Sequence, residues 1–243
     1  MKIDNKGHQA TTVTTPITET KEMTSFHAIS VLRGRMSKDI ITDVHKYIAN
    51  VNDNSANSEL AANISGDQSN LDIEHPLMRN FCSEIIEGGI AYQNFMGRPN
   101  VNVENEHRTI TIDSCWSVKM NQNDYNPIHA HYTKARTGLA TICYIKVPEH
   151  IRQDAFKSRE NPDNNGRFLT DGLLQFRWQS QYIGTLDDYS PETTSFIIPT
   201  VGDYYIFPKW LDHAVYPYRG TEQRWSVQTN LNVYTDEESM RIS

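Results

Sequence analysis

Cysteine is scarce: Cys82, Cys115 and Cys143 are the only three in 243 residues. An odd number at wide spacing excludes a disulfide framework and a cysteine-based zinc site, and the three are read as reduced core thiols. No apolar run approaches the length needed to span a bilayer. The N-terminus, Met1-Lys2-Ile3-Asp4-Asn5, lacks the apolar core of a secretory signal. Positive charge is not in excess either, since 23 Lys and Arg face 30 Asp and Glu for a net charge of -7. No basic face is available to neutralise a phosphate backbone. These absences argue against nucleic acid and membrane partners and lead to the expectation of a soluble, cytoplasmic protein.

What is present points to one well-formed core, and all-β barrels of this size are commonly one domain. Residues 1–24 carry few large apolar side chains and no sustained period, so they are read as a flexible tail or a loosely attached strand. Behind a Ser37 N-cap, Ile40, Ile41, Val44, Ile48 and Val51 recur at helical spacing. Residues 52–70, rich in Asn, Ser, Asp and Gly, read as a surface connection. A second helix is expected after His75-Pro76, with Leu77, Phe81 and Ile85 on one side and Gly88-Gly89 interrupting or ending it. Residues 25–105 thus form a helical support that precedes the strand signals. That order argues against alternating βαβ units.

Strands dominate from about residue 107. Ile110, Ile112, Trp116, Val118 and Met120 fall on alternate positions, as for a strand with one buried face. Leu139 to Val147 is nearly continuously apolar and suits a strand packed on both sides. Residues 149–171 are charged and turn-rich and read as a long excursion, of the kind that covers a site or is disordered. Further strands are expected at Leu173 to Trp178, Gly202 to Phe207 and Trp225 to Val233, with residues 236–243 as a C-terminal tail.

The chemistry centres on Asn126-Pro127-Ile128-His129-Ala130-His131 and Pro208-Lys209-Trp210-Leu211-Asp212-His213. Alternation along a strand puts His129 and His131 on one face, where two imidazoles can converge on an ion, and His213 is placed to supply a third. A polar, hydrogen-bonded strand face is the competing reading. In the last strand Arg224, Ser226, Gln228 and Asn230 share a face opposite Trp225, Val227, Thr229, Leu231 and Val233. A guanidinium aimed inward is either paired internally or held for a carboxylate ligand. On an edge strand Arg224 would instead face solvent.

Together, Trp116-Ser117-Val118, the H-x-H segment, Phe207-Pro208-Lys209-Trp210-Leu211-Asp212-His213 and Arg224-Trp225-Ser226 resemble the core motifs of 2-oxoglutarate- and Fe(II)-dependent oxygenases. The nearest resemblance is to the group common in marine bacteria and tailed phages, over about residues 107 to 235. The resemblance implies a mainly β fold: a double-stranded β-helix (jelly-roll or cupin-like barrel) over residues 106–235, buttressed by the N-terminal helices. It implies Fe(II) held by His129, His131 and His213, with 2-oxoglutarate as co-substrate. Arg224 would grip its distal carboxylate, Ser226 would add a hydrogen bond, and Tyr144, Tyr125 and Trp116 would line the pocket beside it. For each aromatic, ordinary core packing is the alternative. The implied reaction is hydroxylation of a C–H bond in a peptide, amino acid or small metabolite, with release of succinate and CO2.

The chain departs from the usual two-histidine, one-carboxylate triad, because His131 stands where Asp or Glu is expected. Asp212 is not expected to replace that carboxylate, since it faces away from its neighbour His213. Two other functions stay open on the sequence: a cupin-type metal protein that ignores 2-oxoglutarate, and a structural jelly roll with no metal.

Overall fold

The computed structural model describes residues 21–26, 29–53, 55–56, 64–96, 108–160, 169–178 and 193–235. In chain order the elements are β1 (Lys21–Phe26), β2 (Ile29–Arg35), α1 (Lys38–Ile48), β3 (Asp67–Asn70), a 3-10 turn (Pro76–Met78), α2 (Arg79–Met96), β4 (Arg108–Met120), β5 (Asn126–His129), β6 (Thr137–Lys146), α3 (Glu149–Glu160), β7 (Leu174–Arg177), β8 (Thr194–Ile197), β9 (Asp203–Pro208), β10 (Asp212–Val215) and β11 (Arg224–Thr235). They make two antiparallel sheets. The larger runs β1-β2-β9-β6-β11-β4-β3 and the smaller β5-β10-β7-β8. The arrangement is a mainly β jelly roll with helices outside.

Each face of the larger sheet buries its own apolar cluster. Outside, Cys143, Ile145, Ile206, Val227, Leu231 and Val233 pack against α1 and α2. Inside, Trp116, Val118, Ile142, Tyr144 and Phe207 meet Leu174, Phe176 and Val215 of the smaller sheet. This is why β6 reads as apolar on both faces: it lies between β9 and β11 in the middle of the larger sheet.

The helices begin where local chemistry dictates. Ser37 Oγ accepts a hydrogen bond from the Ile40 amide at 3.3 Å, capping α1 as the spacing predicts. In α2, however, Gly88 and Gly89 do not end the helix, which runs on to Met96. Both glycines are buried, and a Cβ at Gly88 would sit 2.7 Å from Ile206 Cδ1. They let the helix lie close on the sheet. A Gly88→Leu protein is therefore expected to lose about 1–3 kcal/mol by overpacking, despite leucine's better helix propensity. Urea unfolding would register this, and an unchanged midpoint would show that the close approach does not depend on the missing side chain.

Four further expectations are corrected. The N-terminal region is not helical throughout, because β1 and β2 pair and join the larger sheet through β9. Arg33 and Arg35 both donate to the buried Asp203 carboxylate at 2.8 Å, pinning that hairpin to β9. Residues 67–70 are a strand rather than a surface connection: Asp67, Gln68 and Ser69 are buried, and Asp67 lies 3.6 Å from Lys119 Nζ. In β4 a bulge at Asp113 breaks the alternation. Ser114 faces Asn230 while Ile112 faces Leu231, so Ile110 and Ile112 pack on the helix side and Trp116, Val118 and Met120 inside. Finally, residues 149–160 of the expected excursion form α3, with Ile151 and Ala155 buried; residues 161–168 lie outside the described residues.

Candidate metal centre

Strand pairing brings the histidines together. β5 and β10 are antiparallel, with His129 directly opposite His213 and their ring centroids 4.2 Å apart. His131 follows just beyond β5, where its amide donates to the Lys209 carbonyl at 2.8 Å and its ring stacks on Trp116. The three ligand atoms all lie within 4.8 Å of one another, the one such cluster among the described residues. Asp212 is not in it.

The tautomer of each ring follows from its outer nitrogen. His129 Nδ1 lies 2.7 Å from the Pro127 carbonyl and His213 Nδ1 2.9 Å from the Leu211 carbonyl. A carbonyl only accepts, so both Nδ1 atoms carry the proton. His131 Nδ1 lies 2.7 Å from Asn230 Oδ1, and the Asn230 amide nitrogen is committed to Ser114 Oγ and the Tyr132 carbonyl, so this Nδ1 is protonated too. Three bare Nε2 lone pairs therefore face inward. His131 Nε2 and His213 Nε2 stand 3.0 Å apart with no hydrogen to share. That contact is repulsive without a cation between the rings. With metal–nitrogen bonds of about 2.1 Å, two ligands at right angles are about 3.0 Å apart, so the His131–His213 pair fits adjacent positions on one ion.

Burial keeps the rings neutral, as ligation requires. Desolvation, reinforced by the neighbouring His129, pushes His131 down to about 4. Desolvation, then His129 and His131, hold His213 well below the usual histidine range. Without metal, the unfolded chain takes up protons near pH 6.5 that the folded chain refuses. Stability carried by the buried neutral rings is thus fully present above that pH and is lost as pH falls toward about 4. Chelator-treated protein should lose stability between pH 6.5 and pH 4 more steeply than a His131→Asn variant; parallel profiles in urea unfolding would overturn the assignment of buried neutral rings.

Arg224 lies on the same interior face of β11 as Gln228 and Asn230 and is only 1% exposed. Its Nη1 donates to the Gly172 carbonyl at 2.8 Å and its Nη2 meets Met120 Sδ. Its Nε has no partner, and among the described residues no carboxylate pairs with it. Burial lowers the pKa of this guanidinium, opposed by nearby Tyr144 and Tyr218. The Tyr144 hydroxyl is buried and also lacks a partner among the described residues. Burial pushes that phenol up, offset in part by the Arg224 charge. An unpaired buried cation beside an unpaired hydroxyl matches a carboxylate guest.

The other sequence candidates fall in different places. Ser226 lies opposite Tyr144 in the sheet, but its Oγ is engaged by Gln228 Nε2 at 2.8 Å. Trp116 lines the cavity at the triad together with Phe207 and Gln228. Tyr125 does not; it is 38% exposed and packs edge-on to Tyr216, because its neighbour Asn126 takes the inward position. His45 stacks on Trp225, His75 on Tyr47, and His150 packs beside Tyr218. His8, His27 and His107 lie outside the described residues. Lys209 holds the turn after His131 by donating to Thr133 Oγ1 and the Ala135 carbonyl. Asn230, which orients His131, is the residue spacing alone did not single out; its signal was its place on the polar face of β11.

Residues 114–230 match the family described as "Putative 2OG-Fe(II) oxygenase". No curated protein matches the chain by sequence. Among solved structures the fold is similar to a prolyl-4-hydroxylase from Pseudomonas putida, at 10% identity and a TM-score of 0.50, over 85% of this chain and 94% of that one. It is also similar to a prolyl hydroxylase from Trichoplax adhaerens, solved with a hypoxia inducible factor peptide fragment, at 13% identity and a TM-score of 0.52, over 88% and 87%. HygX from Streptomyces hygroscopicus with iron bound matches at 9% identity and a TM-score of 0.50, over 85% and 83%. The family match takes in β5, β10 and the start of β11, and with them all three histidines and Arg224, so residues 114–230 are similar to a 2-oxoglutarate- and Fe(II)-dependent oxygenase domain.

Proposed function

We propose that His129, His131 and His213 hold the Fe(II) through Nε2, that Arg224 and Tyr144 receive the distal carboxylate of 2-oxoglutarate, and that the enzyme hydroxylates a C–H bond of a peptide or small molecule. The observation that carries this reading is the 3.0 Å approach of two unprotonated imidazole nitrogens, His131 Nε2 and His213 Nε2. When bound, the metal and co-substrate supply dioxygen activation coupled to decarboxylation, so that one oxygen atom enters the substrate and the other leaves in succinate.

The chain's own contribution is placement. Pro127, Leu211 and Asn230 fix the ring tautomers from behind, and such outer partners govern metal affinity. Three neutral ligands leave the full double charge on the ion, which strengthens its grip on a dianionic co-substrate relative to a site with one carboxylate. Trp116 and Phe207 wall the cavity and keep water from the reacting centre. The three unpaired buried thiols, Cys82, Cys115 and Cys143, suit a reducing cytoplasm, where Fe(II) is maintained. No helix among the described residues is long and apolar enough to cross a membrane.

The test is anaerobic addition of Fe(II) and then 2-oxoglutarate, watching for the weak visible metal-to-ligand charge-transfer band, followed by succinate release on admitting air. A band is expected. Metal uptake with no response to 2-oxoglutarate would favour a cupin-type binding protein, and no metal uptake would favour a structural jelly roll.

A further inference from the structure

Gln228 is left unexplained by the triad and Arg224. It stands between Ser226 and Asn230 on the interior face of β11 and lines the cavity with all three histidines. Its amide nitrogen is used, donating to Ser226 Oγ at 2.8 Å. Its amide oxygen is buried with no partner among the described residues, an arrangement that is destabilising if nothing meets it.

The unmet end has the wrong polarity for the expected guest. Both carboxylates of 2-oxoglutarate and its keto group offer only acceptor oxygens, and an amide oxygen facing them is repelled. The amide nitrogen would be attracted. Turning the amide by half a revolution exchanges the two ends, which differ little in shape. The Ser226 hydroxyl accepts in one orientation and donates in the other, so the Gln228–Ser226 bond survives the turn.

We propose that Gln228 is a co-substrate-binding residue whose amide N–H donates to an oxygen of 2-oxoglutarate, with Ser226 as the positioning residue that holds the amide in that orientation. The proposal rests on the assignment of 2-oxoglutarate to this cavity. It gives Ser226 an indirect role in place of the direct hydrogen bond expected from the motif.

Calorimetric titration of the Fe(II)-loaded protein with 2-oxoglutarate under anaerobic conditions tests it without turnover. Gln228→Met, close in volume, is expected to raise Kd about tenfold, the loss of one hydrogen bond to a charged group. Gln228→Glu is expected to raise it at least about a hundredfold, because a carboxylate then faces a dianion. Ser226→Ala should raise Kd a few-fold, and the double variant Ser226→Ala/Gln228→Met should bind no more weakly than Gln228→Met alone, since the serine acts through the amide. Wild-type affinity in Gln228→Met, or Gln228→Glu binding as tightly as Gln228→Met, would overturn the donor role. An unchanged Ser226→Ala, or additive effects in the double variant, would overturn the positioning role. Should Gln228→Met fail to fold, Gln228→Glu and Ser226→Ala decide. If wild-type protein takes up no 2-oxoglutarate, the underlying co-substrate assignment fails instead, and this is seen before any variant is made.

Discussion

His213→Ala is expected to weaken Fe(II) binding by more than about a hundredfold, because even loss of an outer partner of a metal ligand costs 10–100-fold. The physical reason lies in how little else holds the ion. The cluster that could hold it consists of three histidines, with no carboxylate among the described residues to compensate. The clearest readout is thermal. An ion present at about 100 times its Kd stabilises the folded state by about 2.7 kcal/mol. In a chain of this size that corresponds to a shift in Tm of roughly 5–10 °C. Wild type should show this shift with Fe(II) under anaerobic conditions, and His213→Ala should show none. The metal-free variant need not be less stable than metal-free wild type by the full cost of a core truncation, since it is relieved of the 3.0 Å contact between two lone pairs. A variant that kept the metal-induced shift would remove His213 from the ligand set.

Arg224→Met separates stability from function in opposite directions. Without co-substrate the guanidinium is a buried cation with no acid partner among the described residues, and replacing buried charge by apolar volume is often neutral or stabilising. The apo-protein is therefore expected to be no less stable than wild type in urea. Binding of 2-oxoglutarate should fall by about 10²–10⁴-fold, since two charge-assisted hydrogen bonds of about 1.5–3 kcal/mol each are lost. Fe(II) binding without co-substrate should be unchanged. Anaerobic titration calorimetry with metal and then 2-oxoglutarate checks both halves. A variant that bound the diacid like wild type would mean that Arg224 is a structural cation satisfied by Gly172 and Met120.

Elements whose signal is local were legible in the sequence. The α1 cap needs only Ser37 and the backbone three residues on. The two faces of β11 follow from strict alternation, and the structure sends Val227, Leu231 and Val233 to the helices and the Arg224 face inward. Elements that depend on partners were not. β3 is polar at every position, so no apolar alternation announces it; it is a strand because Asp67 meets Lys119 and its backbone pairs with β4. Gly88 and Gly89 look like a helix end until Tyr204, Ile206, Leu231 and Ile110 are seen pressed against them. The β4 bulge at Asp113 inverts an alternation that looks unbroken when β11 is out of view.

At the candidate centre, the chain alone offered the kinds of side chain and their spacing: three imidazoles from two distant segments, and an arginine on the polar side of the last strand. Those follow from residue identity and a two-residue period, which need no neighbours. Only the tertiary structure decided which nitrogen of each ring faces inward, because that depends on the carbonyls of Pro127 and Leu211 and the amide of Asn230 behind them. It also decided that Arg224 is buried without an acid among the described residues and that Ser226 is bonded to Gln228. Tautomer, desolvation and side-chain pairing are properties of an environment that residues far apart in the chain build together.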